Sequence, residues 1–316
     1  MRETKLNKIR AAAIDFGSNS SRLLIAEYDK SGINVIYQDL ITTRLAKSIE
    51  DKKLLDSGSI NKTIEAVKEF KAKMRSYKIE RYKTAGTSAL REAKNSDYFV
   101  KLLKDETGLE LDIVSGEKEA KLTYNGATFD IENRDNIIID IGGGSTEFIK
   151  LEAGIPQEGS INMGAVRFTE RFIGNPTLKI PESAQEKIIT ETTNFLQKNF
   201  QFNNKESFIG VGGTITTLAA IDKNVVNFEP EKIEGYILEK ARVNNIINNL
   251  SNMELDQRKK VNGLQKERAD IIIAGSLILK AILDFFSADD IKVSNKDLLY
   301  GLIIEIFEDN QFYLFT

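Results

Sequence analysis

One short signature occurs twice in this chain and constrains its fold more than any other feature. Ile14-Asp15-Phe16-Gly17-Ser18-Asn19-Ser20 returns 125 residues later as Ile139-Asp140-Ile141-Gly142-Gly143-Gly144-Ser145. The first copy closes the apolar run Ala11 to Ile14, and the second follows a run that begins at Ile137. An apolar run ending in Asp and a Gly/Ser turn reads as a strand entering a polar loop. A β-like run comes after each loop, Leu23 to Tyr28 in one case and Glu147 to Leu151 in the other. Repetition of a whole block marks repeated supersecondary units. A length of 316 residues leaves room for two such domains, more than one core of ordinary size would serve.

Helical and strand periods alternate through the rest of the chain. Lys30-Ser31-Gly32 reads as the turn of a hairpin between Leu23 to Tyr28 and Ile33 to Leu40. Asn61 to Tyr77 carries Ile64, Val67, Phe70 and Met74 at helical spacing. The pattern then predicts strand Tyr82 to Ala85, helix Asp97 to Glu106, strand Leu111 to Val114, and helix Glu117 to Phe129 capped by Ser115. A third glycine-rich element, Gly210 to Thr217, follows strand Ser207 to Ile209 and opens helix Ile215 to Asp222. Helices Ala241 to Leu250 and Arg268 to Phe286, strand Ile291 to Ser294 and a helix from about Asp297 complete the chain. Alternation of this kind argues α/β architecture.

Composition narrows the chemistry. His, Cys and Trp are each absent. No imidazole base, thiolate nucleophile, zinc ribbon or disulfide is therefore available. Catalysis has to run on carboxylates, Arg and Lys, hydroxyls, backbone amides and a hard cation such as Mg²⁺. The net charge is −3, and the basic stretches Arg81 to Lys83, Arg258 to Lys260 and Lys266 to Arg268 are the places where a polyanion would find local positive potential. They lack interleaved aromatics, so nucleic acid is not expected as a partner. The charged Met1 to Arg10 segment does not read as a leader, and Asp270, Lys280 and Asp284 break the longest apolar stretch, so no membrane segment is expected. The reading is a cytoplasmic protein.

The Gly/Ser loops offer backbone amides that can approach an anion closely. With Asp at each strand end they form a kit: amides and hydroxyls for phosphate oxygens, Asp15 and Asp140 for Mg²⁺ held through water. None of the loops has Walker A spacing. Gly142-Gly143-Gly144 precedes a β-run and not a helix, so it does not fit the dinucleotide fingerprint.

Five ordered motifs carry a resemblance over residues 11 to 304 or thereabouts. They are the first loop with Arg22, Thr84 to Asn95, Ser115 to Ala120, Asp140 to Glu147, and Gly210 to Ala219. This order resembles the exopolyphosphatase/guanosine pentaphosphate phosphohydrolase family of the sugar kinase/Hsp70/actin superfamily. The resemblance implies an α/β fold of two actin-like (ribonuclease-H-like) domains with an interdomain cleft. The domains would be 1–128, completed by the last helix at about 303–316, and 129–302. It further implies hydrolysis of a terminal phosphoanhydride in inorganic polyphosphate, in guanosine pentaphosphate, or in both, with Mg²⁺.

On the family pattern Glu119 and Glu147 are the catalytic carboxylates. Ser18, Asn19, Ser20, Gly142, Gly143, Gly144, Ser145, Gly212, Gly213 and Thr214 would hold phosphate, with Arg22 and Arg91 on substrate oxygens. Arg268, in Glu-Arg-Ala-Asp, is the best basic candidate outside the main cleft. The chain is read as a short form without the C-terminal histidine–aspartate-type domain of longer members, and the resemblance leaves room for a homodimer. Where the family usually reads Val-Ser-Asp-x-Gly-Leu-Arg-Glu-Gly, Val293 to Gly301 has Asn295, Asp297, Leu299 and Tyr300 in place of Asp, Gly, Arg and Glu. Two alternatives stand beside the hydrolase: a superfamily kinase using ATP, and a non-catalytic regulator that binds polyphosphate or guanosine tetraphosphate.

Overall fold

The computed structural model describes residues 9–29, 32–47, 49–131, 136–152, 155–200, 207–226, 229–308 and 311–315. The chain divides into two compact units, Met1–Gly126 with Leu298–Thr316, and Ala127–Asp297. The return to the first unit thus begins at Leu298, ahead of the expected residue 303, and the first crossing comes two residues earlier than expected.

In the first unit β1 (Ile9–Phe16), β2 (Ser20–Asp29) and β3 (Gly32–Thr42) form an antiparallel meander. β4 (Arg81–Gly86) joins the other side of β1 in parallel, and Tyr313–Leu314 adds a short antiparallel edge. The hairpin between β2 and β3 has the expected position, although Lys30 and Ser31 of its turn lie outside the described residues. Ala11, Ala12 and Ala13 are fully buried on β1, where helix Leu298–Phe307 packs. Small side chains let a helix approach a strand closely, and that helix also comes close to helix Gly116–Ala127. A Cβ on Gly301 would overlap the backbone of Leu122.

The same two helices share an ionic network. Glu305, buried, accepts from Lys83 of β4 at 2.5 Å through one oxygen and from Lys118 through the other. Lys83 also reaches Gln311 at 3.3 Å. Burial alone would raise the Glu305 carboxyl; the hydrogen bonds from Lys118 and Lys83 outweigh it and hold the group below its ordinary value of 4.5. A depressed folded-state pKa stabilises above the unfolded-state value, and that stabilisation is lost as pH falls through the folded one. Below about pH 4.5, the melting temperature of the wild type should therefore fall more steeply with acid than that of Glu305→Gln. Parallel Tm–pH curves for the two proteins would refute this.

The second unit repeats the plan. β5 (Ile137–Ile141), β6 (Thr146–Glu152) and β7 (Ile155–Ile161) form a meander, and β8 (Phe208–Val211) pairs in parallel with the other side of β5. β9 (Ile237–Glu239) and β10 (Asp290–Val293) extend the sheet to the order β7-β6-β5-β8-β10-β9. β5 is buried on both faces, which explains its continuous Ile run. Helix Ile272–Phe285 packs on helices Glu182–Asn199 and Lys240–Ser251 to complete the core.

Two elements differ from the sequence reading. Leu111–Val114 is not a strand but a single parallel bridge, Ile113 to Gly86. Thr84 Oγ1 accepts from Asp112 N and donates to the Glu110 carbonyl, which replaces part of a ladder with side-chain bonds. The helix expected from Arg268 starts at Ile272, after the 3₁₀ turn Lys266–Arg268. Among the described residues, no helix is long and apolar enough to cross a membrane.

Candidate active site

The two copies of the signature fold into the same turn. Gly17 N donates to Ser20 O at 3.1 Å, and Gly142 N donates to Ser145 O at 3.0 Å. Support comes to both loops through their carbonyls. Ser18 O accepts from Ala46 N, and Asn19 O accepts from Thr43 N and Arg44 N. Gly142 O accepts from Ala165 N, Gly143 O from Val166 N and Arg167 N, and Gly144 O from Nε of the buried Arg167 at 2.9 Å. In a trans peptide the N–H points opposite to the C=O. The amides of Asn19, Gly143, Gly144 and Ser145 are thereby turned away from the supporting segments, as an anion-binding concavity requires. Gly164 is needed beside the second loop, since a Cβ there would overlap Gly143.

Register then decides what stands opposite each Asp. Asp15 pairs across the β1–β2 ladder with Arg22, and Asp140 pairs across β5–β6 with Glu147. Arg22 and Glu147 are thus equivalent positions of the repeat, separated by the same interval as the two Asp residues. In the first unit the pair is ionic: Arg22 Nε and Nη2 donate to Asp15 Oδ2 at 2.8 and 2.6 Å. The residue expected on substrate oxygens therefore holds the carboxylate expected on Mg²⁺. In the second unit two carboxylates share one face. Glu147 is buried and accepts from Ser160 Oγ at 3.1 Å, while Asp140 is half-buried.

Glu119 lies in the first turn of helix Gly116–Ala127. The turn is capped as expected, with Lys118 N donating to Ser115 Oγ at 3.1 Å. Arg91, from the short helix Ser88–Glu92 after β4, donates through Nη1 to Glu119 Oε2 and to Val114 O. The expected catalytic carboxylate and an expected substrate arginine are therefore in direct contact. The neighbouring Asn95 serves structure: its amide group pairs with both the N–H and the carbonyl of Leu55.

The third loop belongs to the second unit's carboxylate pair. Gly212 has φ +80° and lies against Asp140, so a Cβ there would be strained and would overlap the carboxylate. Arg268, expected outside the main site, rests its guanidinium against Gly213, with Nε donating to Gln265 Oε1 at 2.7 Å. Thr214 is buried with its side chain against Gly275 of helix Ile272–Phe285.

In two of the basic stretches one basic residue is buried. Arg258 is fully buried and donates to the carbonyls of Ala269, Pro176 and Leu178. Burial lowers its pKa, with the charge of Asp270 opposing that shift. Lys83 is the buried partner of Glu305. Neither presents positive charge to a solvent-borne polyanion. Among the described residues, no group of three or more Asp or Glu gathers as a metal cage. Mg²⁺ does not need one, since it keeps several waters and takes one or two carboxylates. Asp140 and Glu147, opposite one another on β5 and β6, are a carboxylate pair of that size.

This doubled topology has counterparts among known proteins. A model of the Ppx/GppA phosphatase family matches residues 24–309. The chain belongs to that family. A bifunctional 3-dehydroquinate synthase/phosphatase of Fusobacterium nucleatum is 36% identical over 96% of the chain, which spans only 47% of that relative. Exopolyphosphatase 2 of Mycobacterium tuberculosis is 26% identical, with 94% of this chain and 98% of that one covered. The crystal structure of the Aquifex aeolicus Ppx/GppA family member superposes with a TM-score of 0.80 at 28% identity, covering 96% of this chain and 99% of that one. The fold is accordingly the actin-like α/β arrangement, with two mixed sheets and their helices.

Proposed function

We propose that this protein hydrolyses the terminal phosphoanhydride of inorganic polyphosphate, of guanosine pentaphosphate, or of both, in the cytoplasm. The observation that carries the reading is the contact between Arg91 and Glu119 at a capped helix start. It offers a carboxylate to orient and deprotonate a water beside a guanidinium suited to phosphoryl oxygens. The amides of Gly143, Gly144 and Ser145 are assigned to phosphate oxygens, as are those of Gly212 and Gly213 with Arg268 beside them. Asp140 and Glu147 would hold a divalent cation, which when bound offsets charge on the phosphoryl oxygens.

Phosphate release measured in parallel from the two substrates, with Mg²⁺ and then with EDTA, tests this reading. Release that stops with EDTA and returns with Mg²⁺ is expected, and Glu147→Ala should lose at least tenfold at saturating Mg²⁺. Release unaffected by EDTA would refute the cation, and no release from either substrate would refute the hydrolase.

A further inference from the structure

From the network around Glu305 we infer that Lys118 and Glu305 are positioning residues for Glu119, an inference that rests on the role proposed for Glu119 above. The first turn of a helix has amide groups without intrahelical acceptors and is its least constrained part. Glu119 sits in that turn, one residue from Lys118. Three tethers hold the turn: the Ser115 cap, Arg91 on Glu119, and Lys118 on Glu305.

The last tether ends on a buried group. Glu305 is buried with each oxygen engaged by a different lysine, so its carboxylate has a fixed orientation. Its helix is set against the Glu119 helix by the contact of Gly301 with Leu122. An ion pair to a buried carboxylate is poor value as a stabiliser, because apolar replacements of similar volume often do as well. It does fix one geometry, and catalytic groups have to be held to within about 0.5 Å. Lys118 is thus the link through which helix Leu298–Phe307 sets the placement of Glu119.

The test uses the full-length chain with polyphosphate and guanosine pentaphosphate as substrates. Lys118→Met is expected to lower kcat about tenfold, with KM within twofold of wild type and Tm within a few degrees. Lys118→Arg should recover most of the rate. Glu305→Gln, nearly isosteric, should show the same loss, and the double variant no further loss. In a Glu119→Gln background Lys118→Met should change nothing, because its effect passes through Glu119. Wild-type kcat in Lys118→Met would overturn the inference, as would an added loss in the Glu119→Gln background. Wild-type turnover in the same assay separates the two claims: its absence would overturn the hydrolase reading and this inference together.

Discussion

Glu119→Gln is expected to lower kcat for phosphate release by about 10²–10⁴-fold, the range that a positioned general base contributes. The substitution keeps the size of the side chain and leaves an acceptor for Arg91, so the helix start should survive. Tm within about 2 °C of wild type would show that. The expected size follows from what the chain has left once His and Cys are absent: with no imidazole or thiolate, a water nucleophile depends on a carboxylate. Turnover within threefold of wild type would remove Glu119 from the mechanism, and the Arg91–Glu119 pair would then be a structural ion pair of the first unit. Comparison with Arg91→Ala sharpens the result. Arg91→Ala removes both a substrate contact and a tether of Glu119 and should raise KM as well as lower kcat, whereas Glu119→Gln should act on kcat alone.

The largest effect on stability is expected at Arg258. Arg258→Ala should destabilise the second unit by about 3–5 kcal/mol, because three carbonyls lose a charged donor at once and the fully buried side chain leaves a cavity. In thermal unfolding this corresponds to a fall of about 10 °C or more. Arg258→Lys should recover only part of it, since an ammonium group lacks the planar fork that serves carbonyls on Ala269, Pro176 and Leu178 together. The opposite pattern, an unchanged Tm with a raised KM for polyphosphate, would return Arg258 to the surface role suggested by the basic run Arg258 to Lys260.

That residue marks where sequence reading stops. Arg-Lys-Lys looks like a solvated basic patch. The carbonyls that bury Arg258 include two about eighty residues away in the chain, and no local pattern announces them. Lys83 was hidden in the same way by a partner 222 residues distant. The doubled signature was legible because turns are local: glycine and serine close each loop by a hydrogen bond between residues three apart. The strand expected at Leu111 to Val114 failed because apolar content does not show whether a partner edge remains available along its whole length. The equivalence of Arg22 and Glu147 was within reach, since the interval between the two Asp residues carries one onto the other. Its meaning depended on the register that places each across from an Asp. The departures at Leu299 and Tyr300 are absorbed into the core of the first unit, where both side chains are buried.

The discontinuous first unit has a consequence for biosynthesis. Its central strand is covered by helix Leu298–Phe307, which leaves the ribosome only after the whole of the second unit has been made. At about 5–20 residues per second the interval is roughly 10–30 s. Throughout it, the Ala-rich face of β1 has no cover, and Lys83 and Lys118 wait for the carboxylate that neutralises them. The second unit, contiguous in the chain, can be complete before the first. The order of maturation is therefore reversed relative to the order of translation, and the nascent first unit is the stage at which a chaperone would find exposed apolar surface.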